Sequence, residues 1–121
     1  MSQASPSHPH LRQRQIGDVL VVGFDTPYLQ TEELVEKVGV DLNDLVSHHQ
    51  PEKMVLSFDG VRFVSSSMLA QVVKLHKRLA KNKAKLRLCA LAPAIREVLR
   101  ASQLDRLLDV HDDETAALNR F

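Results

Sequence analysis

Short apolar runs alternate along the chain with longer segments in which apolar residues recur every three or four positions. The short runs are typical of strands and the longer segments of amphipathic helices. Residues 19–22 are apolar at every position, as expected of a strand covered on both faces. Single helices between strands favour βαβ units. We therefore predict one α/β domain, with a mostly parallel sheet of about four to five strands and about four helices.

Local residue chemistry sets the expected ends of these elements. Strands are predicted at residues 11–16, 18–24, 54–58, 85–90 and 107–110. Thr31 is a preferred helix N-cap and precedes two glutamates, which predicts a first helix from there to about Ser47. Further helices are predicted at residues 66–81, from Pro93 to about Ser102, and after a cap at Asp112.

Apolar spacing also predicts which side of the middle two helices is buried. On this basis the second helix buries Leu69, Val72, Val73 and Leu79, and the third buries Ile95, Val98 and Leu99.

Size and composition limit the class of protein. At 121 residues the chain is long enough for one domain with a substantial core. Residues 1–10 are rich in Ser, Pro, Gln and His and predict a disordered tail, which leaves residues 11–121 for the domain. No apolar run approaches the roughly 20 residues that cross a bilayer, and no signal-peptide core is present. One cysteine, Cys89, is predicted to be buried packing, and we expect a cytoplasmic protein without membrane insertion.

Charge is unevenly distributed although the net charge is only +1. Residues 60–96 contain no acidic residue, and their bases are Arg62, Lys74, Lys77, Arg78, Lys81, Lys83, Lys85, Arg87 and Arg96. Such a segment can attract an acidic partner, although a solvated helix face has the same pattern. Because the overall charge is nearly balanced and only 4% of residues are aromatic, we expect no direct nucleic-acid partner.

Three consecutive serines lie where the strand predicted at residues 54–58 leads into the helix at residues 66–81. The first turn of a helix leaves backbone N–H groups unpaired and carries partial positive charge. Serine is favoured there as a cap, and a phosphate is favoured for the same electrostatic reason. In a mostly parallel sheet this point adjoins the loops after Phe24 and Ala90. The segment is therefore a candidate for a helix cap or for a phosphorylation switch.

The order and spacing of these motifs resemble the STAS domain, the fold of bacterial anti-sigma factor antagonists. That family has a strand of the form hydrophobic-hydrophobic-Asp-hydrophobic-Ser, a turn, and then hydrophobic-Asp-Ser-Ser-Gly-Leu at the start of a helix. Residues 55–69 correspond to this pattern. The likeness continues at residues 75–79, 86–89, 93–99, 104–108 and 116–118, and it covers about residues 11–121.

The resemblance implies a non-enzymatic regulatory module that switches partners. In the family, the first serine of Asp-Ser-Ser-Gly is phosphorylated by a serine kinase of the histidine-kinase-like ATPase type, which is itself an anti-sigma factor. The unphosphorylated antagonist binds that kinase and frees the sigma factor. By position the phosphoacceptor here is Ser66, ahead of Ser65 and Ser67. The predicted partner surface comprises Ser65, Ser66, Ser67 and Met68, flanked by Arg62, Asp25, Ala92 and Pro93.

Three positions depart from the family pattern. Ser57 and Ser65 stand where the family has Asp, and Met68 stands where it has Gly. Loss of the carboxylate at position 65 lowers the repulsion against a phosphate, which brings a charge of about −1.5 to −2, but it also removes a recognition contact. Met68 either puts a bulky, flexible side chain where a partner's backbone approaches closely, or acts as an exposed, adaptable interface anchor. Met68→Asp is expected to abolish partner binding without disturbing the fold. We therefore expect the interaction surface to be retained and the partner to have changed.

The sequence contains no arrangement typical of an enzyme, a cofactor site or a metal site. It has no Gly-rich phosphate loop and no GxSxG motif. His76 lies nearly three turns from Ser66 along the same predicted helix, which is too far to activate its hydroxyl. The remaining histidines lack the ligand spacing of a zinc site. We expect no catalysis, no cofactor and no bound metal.

Two alternatives to the partner-switching antagonist remain open. In one, the chain is a STAS accessory subunit of a lipid or anion transport complex, and the same helix face docks a nucleotide-binding subunit without phosphorylation. In the other, it is a scaffold that self-assembles, as a homodimer or a larger assembly, or that binds a small ligand at the strand ends.

Overall fold

A computed structural model describes residues 10–121, and within that range it shows a five-stranded mixed sheet and four α-helices. The strands are β1 (Leu11–Ile16), β2 (Val19–Phe24), β3 (Tyr28–Leu29), β4 (Lys53–Ser57), β5 (Phe63–Val64), β6 (Lys85–Cys89) and β7 (Asp109–His111). The helices are α1 (Glu32–His49), α2 (Ser66–Lys81), α3 (Pro93–Ala101) and α4 (Glu114–Leu118), with a 3₁₀ turn at Leu104–Arg106. The predicted α/β fold is confirmed. All of the predicted tail except His10 lies outside the described residues.

The main sheet has the strand order β1-β2-β4-β6-β7. β1 is an antiparallel edge strand that pairs Leu11 with Phe24, and the other four strands are parallel to one another. The two shortest strands, β3 and β5, form a separate parallel pair that the sequence analysis did not predict. The loops after β2, β4 and β6 therefore leave neighbouring strands at the same edge of the sheet.

The alternation of side chains along each strand divides the core between two faces of the sheet. One face, which we call the helical face, presents residues such as Leu20, Leu56 and Leu88 to α1, α2 and α3. The opposite face, the back face, presents Val21 and Val55, which pack with α4 in a smaller cluster. Most of the buried apolar volume thus lies between the sheet and three helices.

The buried sides of the helices agree with the apolar spacing, with two exceptions. Leu69, Val72 and Leu79 of α2 are buried as predicted, but Val73 is only half-buried. On α3, Val98 is 46% exposed, so the prediction that it is buried is wrong. The nine-residue α3 contacts the core along a single stripe that Ile95 and Leu99 occupy, and Val98 lies at the edge of that stripe.

Two of the predicted element ends shift for identifiable reasons. Thr31 caps α1 as predicted, since its Oγ1 accepts a hydrogen bond from the Leu34 N–H at 3.3 Å. The cap of α4 is Asp113 rather than Asp112, whose carboxylate instead pairs with Arg96 at 2.8 Å. The last strand begins two residues later than predicted. Leu108 donates its N–H to the Leu104 carbonyl at 2.8 Å and so completes the preceding turn.

A single arginine holds the end of the chain against the back face. The Arg87 guanidinium donates to the carbonyl oxygens of Ala117 at 3.0 Å, Asn119 at 3.0 Å and Arg120 at 3.2 Å. It also donates to the Asp109 carboxylate at 3.1 Å, and it lies 4.3 Å from the centroid of the Phe121 ring. These contacts supply donors to carbonyls at the C-terminus of α4 that have no partner within the helix.

Candidate functional site

The start of α2 is built by a short connection from the sheet. After β4 ends at Ser57, the chain passes through a turn to β5, which pairs in parallel with β3. The Ser65 N–H then donates to the Leu29 carbonyl at 2.9 Å, and the next residue begins the helix. The helix start is therefore fixed to the β3–β5 pair by backbone hydrogen bonds.

The three serines have different positions in this turn. Ser65 is the N-cap, and its Oγ accepts a hydrogen bond from the Met68 N–H at 3.1 Å. Ser66 and Ser67 are the first two helical residues, and both are exposed. By helix geometry their N–H groups have no partner within the helix, which leaves positive partial charge beside two accessible hydroxyls. The cap interpretation is confirmed at Ser65, and the phosphorylation switch stays a prediction for the exposed hydroxyls of Ser66 and Ser67.

Met68 is completely buried, so the prediction that it anchors a partner at the surface is wrong. It lies on the inner side of the first turn of α2 and belongs to the core of the helical face. Its position opposite the exposed Ser66 follows from the helical repeat, which turns the two side chains about 200° apart. The expectation that Met68→Asp leaves the fold intact is wrong for the same reason, because the carboxylate would have to enter the core.

The other predicted surface residues occupy the same edge of the sheet. Arg62 is exposed, and within residues 10–121 its guanidinium makes no hydrogen bond or salt bridge. Asp25 follows β2 and is already paired with Arg12 at 2.8 Å, which reduces its availability to a partner. Ala92 is the half-buried N-cap of α3, and Pro93 is the exposed first residue of that helix. Their role in binding stays a prediction.

Two aromatic residues at this site were not predicted from the sequence. Tyr28 and Phe63 are register partners in the β3–β5 pair, and each side chain is 47% exposed. Their neighbours Leu29 and Val64 are buried in the core. Two-residue strands are too short to show periodicity. The sequence feature that could have identified this pair is an aromatic residue directly before an aliphatic one in each of two predicted loops.

Ser57, one of the departures from the family pattern, lies on the back face and is buried. It stands opposite Cys89 in the register of β4 and β6, and its Oγ accepts weakly from the Asp59 N–H at 3.4 Å. Burial raises the pKa of the Cys89 thiol, and a hydrogen bond with Ser57 acts in the opposite direction. The thiol is therefore protonated at neutral pH, in agreement with the prediction that Cys89 is a packing residue.

A groove of about 350 Å³ lies at the strand ends on the back face, where a small ligand would be expected to bind. It is lined by Arg12, Arg14, Val21, Gly23, Ser57, Asp59 and Glu114. Its two arginines are paired, Arg12 with Asp25 and Arg14 with Glu114. Because these cations are already neutralised, the groove offers little attraction to an anionic ligand.

Neither a metal-binding cluster nor a membrane-spanning helix is present in the part of the chain that the structure describes. Across residues 10–121, no group of three or more His, Cys, Asp or Glu side chains is arranged to hold a metal ion. No helix in this range is long and apolar enough to cross a membrane.

Comparison with known proteins gives consistent matches. The family model for the STAS domain matches residues 12–117. An anti-sigma F factor antagonist from Paenibacillus polymyxa is 24% identical over 86 residues, which cover 71% of this chain and 74% of that protein.

Solved structures show the same architecture. An anti-sigma-factor antagonist (STAS) domain protein from Planctomyces limnophilus superposes with a TM-score of 0.79 and 25% identity, covering 89% of this chain and 93% of that chain. The phosphorylated form of the Bacillus cell fate determinant SpoIIAA superposes with a TM-score of 0.66 and 17% identity, covering 88% of this chain and 95% of that chain. At 17% identity the latter likeness shows the fold alone.

Proposed function

The chain belongs to the STAS domain family, and from that premise we propose that it is a cytoplasmic, non-enzymatic anti-sigma factor antagonist in a partner-switching pathway. Its proposed partner is an anti-sigma factor that is also a serine kinase of the histidine-kinase-like ATPase type. Binding to that partner is controlled by phosphorylation of Ser66. The unphosphorylated chain binds the kinase and thereby releases a sigma factor.

The observation that carries this proposal is that neighbouring serines in the first turn of α2 have different roles. Ser65 is occupied as the cap, whereas the Ser66 hydroxyl is exposed at the first helical position. A kinase needs an accessible hydroxyl, and the fold must tolerate the product. A phosphate on Ser66 would meet unpaired N–H groups and the positive end of the helix dipole, so the modified chain is expected to stay folded.

The same phosphate is expected to disrupt binding at the surface. A group with a charge of about −1.5 to −2 loses its hydration when an interface closes over it, which is strongly unfavourable unless a cation receives it. Arg62 is the nearest candidate in sequence, four residues before Ser66. It is exposed, so its guanidinium can remain in water instead of entering the interface. Phosphorylation would then lower the affinity for the partner without lowering stability.

The direct test is phosphorylation by each purified histidine-kinase-like ATPase encoded in the source organism's genome. Trypsin cleaves after Arg62 and Lys74, so all three serines fall on the peptide of residues 63–74, and fragment-ion mass spectrometry is needed to locate the phosphate. We expect one kinase to label Ser66. Labelling of Ser65 or Ser67 with Ser66 unmodified would contradict the assignment.

Binding measurements test the switch independently of the labelling. Ser66→Asp is expected to weaken binding to the same kinase, and Ser66→Ala to bind without being released by ATP. Thr115→Asp is the matched control with no expected change in binding, because it adds the same charge at an exposed position in the first turn of α4, on the back face and away from the predicted partner surface. If no kinase labels the chain and Ser66→Asp binds normally, the switch is wrong and the transport-accessory alternative becomes the better explanation.

A further inference from the structure

The two exposed aromatic residues beside the serines are unusual for this chain. Phe24 and Phe58 are buried in the core, and Phe121 packs against Arg87, whereas Tyr28 and Phe63 are each 47% exposed. In the β3–β5 pair these two are register partners, so both side chains project from the same outer face. Large aromatic side chains that are exposed together mark interaction sites more often than single exposed ones do.

The backbone beneath the rings is held by several hydrogen bonds. The Pro27 carbonyl accepts from the N–H groups of Arg62 at 2.7 Å and Phe63 at 3.2 Å. The Tyr28 N–H donates to the Thr26 Oγ1 at 3.4 Å. With the bond from Ser65 to Leu29, these contacts make the ring-bearing pair continuous with the cap of α2. A surface fixed in this way loses little conformational entropy on binding.

We propose that Tyr28 and Phe63 are the apolar anchor with which this chain binds the kinase of the proposed function. The occupant of this surface is an apolar cleft on that kinase with acidic side chains at its rim. The inference rests on the proposed function, because it identifies the contact chemistry of the same partner. Aromatic side chains at the centre of an interface commonly account for a large part of the binding energy.

The exposed charges beside the rings predict that the rim of the partner's cleft is acidic. Arg62 directly precedes Phe63, is exposed, and makes no ion pair within the described residues. Lys74 and Lys77 lie exposed further along α2, also without a salt bridge inside residues 10–121. The N-terminus of α2 adds partial positive charge. A partner that meets the rings therefore meets Arg62 and the positive end of α2 beside them, which favours acidic residues around its cleft.

The same charges argue against a second copy of this chain as the occupant. A two-fold symmetric dimer would place the ring surface against itself, so that Arg62 and the start of α2 would face like charges. The area is also small, since two half-exposed rings offer roughly 200 Å² against the roughly 800 Å² per partner of a stable interface. A partner with a deeper, complementary surface fits both constraints.

An acidic rim also gives the phosphate a second way to act. Phe63 lies three residues before Ser66, so a phosphate on Ser66 would lie close to the anchor. It would repel the carboxylates that face Arg62 in addition to losing its own hydration. The anchor and the switch then share one surface, and phosphorylation removes the partner without unfolding the site.

The test measures the affinity of anchor variants for the kinase that binds the wild-type chain. We expect Phe63→Ala and Tyr28→Ala each to weaken binding about 30-fold or more. Tyr28→Phe keeps the ring and is expected to change affinity less than about threefold, and Val40→Ala, at a 62% exposed position on α1, is the matched control with no expected change. Arg62→Glu should lower the association rate and its dependence on salt. The thermal midpoints of all five variants should match the wild type, because each side chain is exposed.

Each outcome separates this inference from the proposed function. If Ser66→Asp weakens binding and Phe63→Ala does not, the anchor is wrong and the switch stands. If Phe63→Ala weakens binding and Ser66→Asp does not, the anchor stands and the switch is wrong. If no kinase binds the wild-type chain, both are overturned. A wild-type dimer in light scattering that Phe63→Ala dissociates would assign the rings to a second copy and overturn the choice of occupant.

Discussion

The two faces of the sheet are covered by different kinds of interaction. On the helical face, three helices bury aliphatic side chains in a cluster that includes Leu42, Leu56 and Leu75. On the back face, a five-residue helix covers a smaller cluster and is held there largely by Arg87, which donates to three backbone carbonyls. The first face depends on many apolar contacts, whereas the second combines a small apolar cluster with the polar contacts of Arg87 and the Arg14–Glu114 ion pair.

This difference bears on the candidate site because α2 belongs to the helical face. The inner side of its first turn is fixed by Met68 in the core, while the outer side presents Ser66 to solvent. A rigid inner side lets the outer side change charge without a change of fold. We therefore expect stability and partner binding to separate at this helix, with inner substitutions affecting the first and outer substitutions the second.

The strongest test of this separation is Met68→Asp. The carboxylate would be buried without a partner, a situation that costs several kcal/mol. We expect a loss of about 4 kcal/mol or more in the free energy of unfolding, which is much of the stability of a typical domain. Ser67→Asp is the control, one residue away and exposed, and should change stability by less than about 0.5 kcal/mol. Urea unfolding measures both, and similar values for the two variants would show that the inner side is not packed as described.

Further along the helix, Leu79→Ala and Val73→Ala sharpen the comparison within α2. Leu79 is fully buried and its truncation is expected to cost about 2–5 kcal/mol, whereas the half-buried Val73 should cost less than about 1.5 kcal/mol. The sequence pattern alone placed both on the buried stripe. Equal losses in thermal or chemical unfolding would favour that original pattern over the observed orientation of the helix.

Most of the helical face was predictable from the sequence, because period and capping act locally. The bounds of β1 and α2 and the cap at Thr31 agree with the prediction, since apolar alternation, helical spacing and a hydroxyl before glutamates each leave a local pattern. Val98 shows the limit of such reasoning. Spacing identifies an apolar stripe but not its width, and only the packing of a short helix decides which edge residue is buried.

The contacts of the back face and the pairing of β3 with β5 could not be predicted from the sequence, for a different reason. Arg87 contacts residues that lie about 30 positions later, and Tyr28 meets Phe63 across the whole of α1 and β4. Such contacts follow from topology and leave no periodic pattern. The prediction that Met68 is exposed was wrong because a flexible methionine side chain is compatible with the core as well as with the surface. The departure from the family glycine did not indicate which of the two applied.

Because Arg87 donates to three backbone carbonyls at the back face, we expect a moderate effect for Arg87→Ala. Removing a charged donor from several carbonyls typically costs about 1.5–3 kcal/mol, and we expect about 2 kcal/mol here. Arg100→Ala is the matched control, since Arg100 is exposed, pairs among residues 10–121 only with Glu97 on its own helix, and should cost less than about 0.5 kcal/mol. Hydrogen exchange should show faster amide exchange in α4 for Arg87→Ala, while amides of α2 keep their protection. Uniform loss of protection would mean that the two faces unfold together.

The smallest expected effect concerns the cap that joins the inner and outer sides of α2. Ser65→Ala removes the oxygen that accepts from the Met68 N–H, and loss of such a cap typically costs about 1 kcal/mol. Ser66→Ala, at the neighbouring exposed position, should leave the free energy of unfolding unchanged within about 0.5 kcal/mol. The two variants are expected to reverse their order in partner assays. Ser65→Ala should still accept phosphate at position 66 and still be released, because its loss is confined to helix stability, whereas Ser66→Ala should bind without release. If Ser65→Ala abolishes phosphorylation although the chain stays folded, the cap also presents the acceptor to the kinase, and the separation between the two sides of α2 does not hold at its first turn.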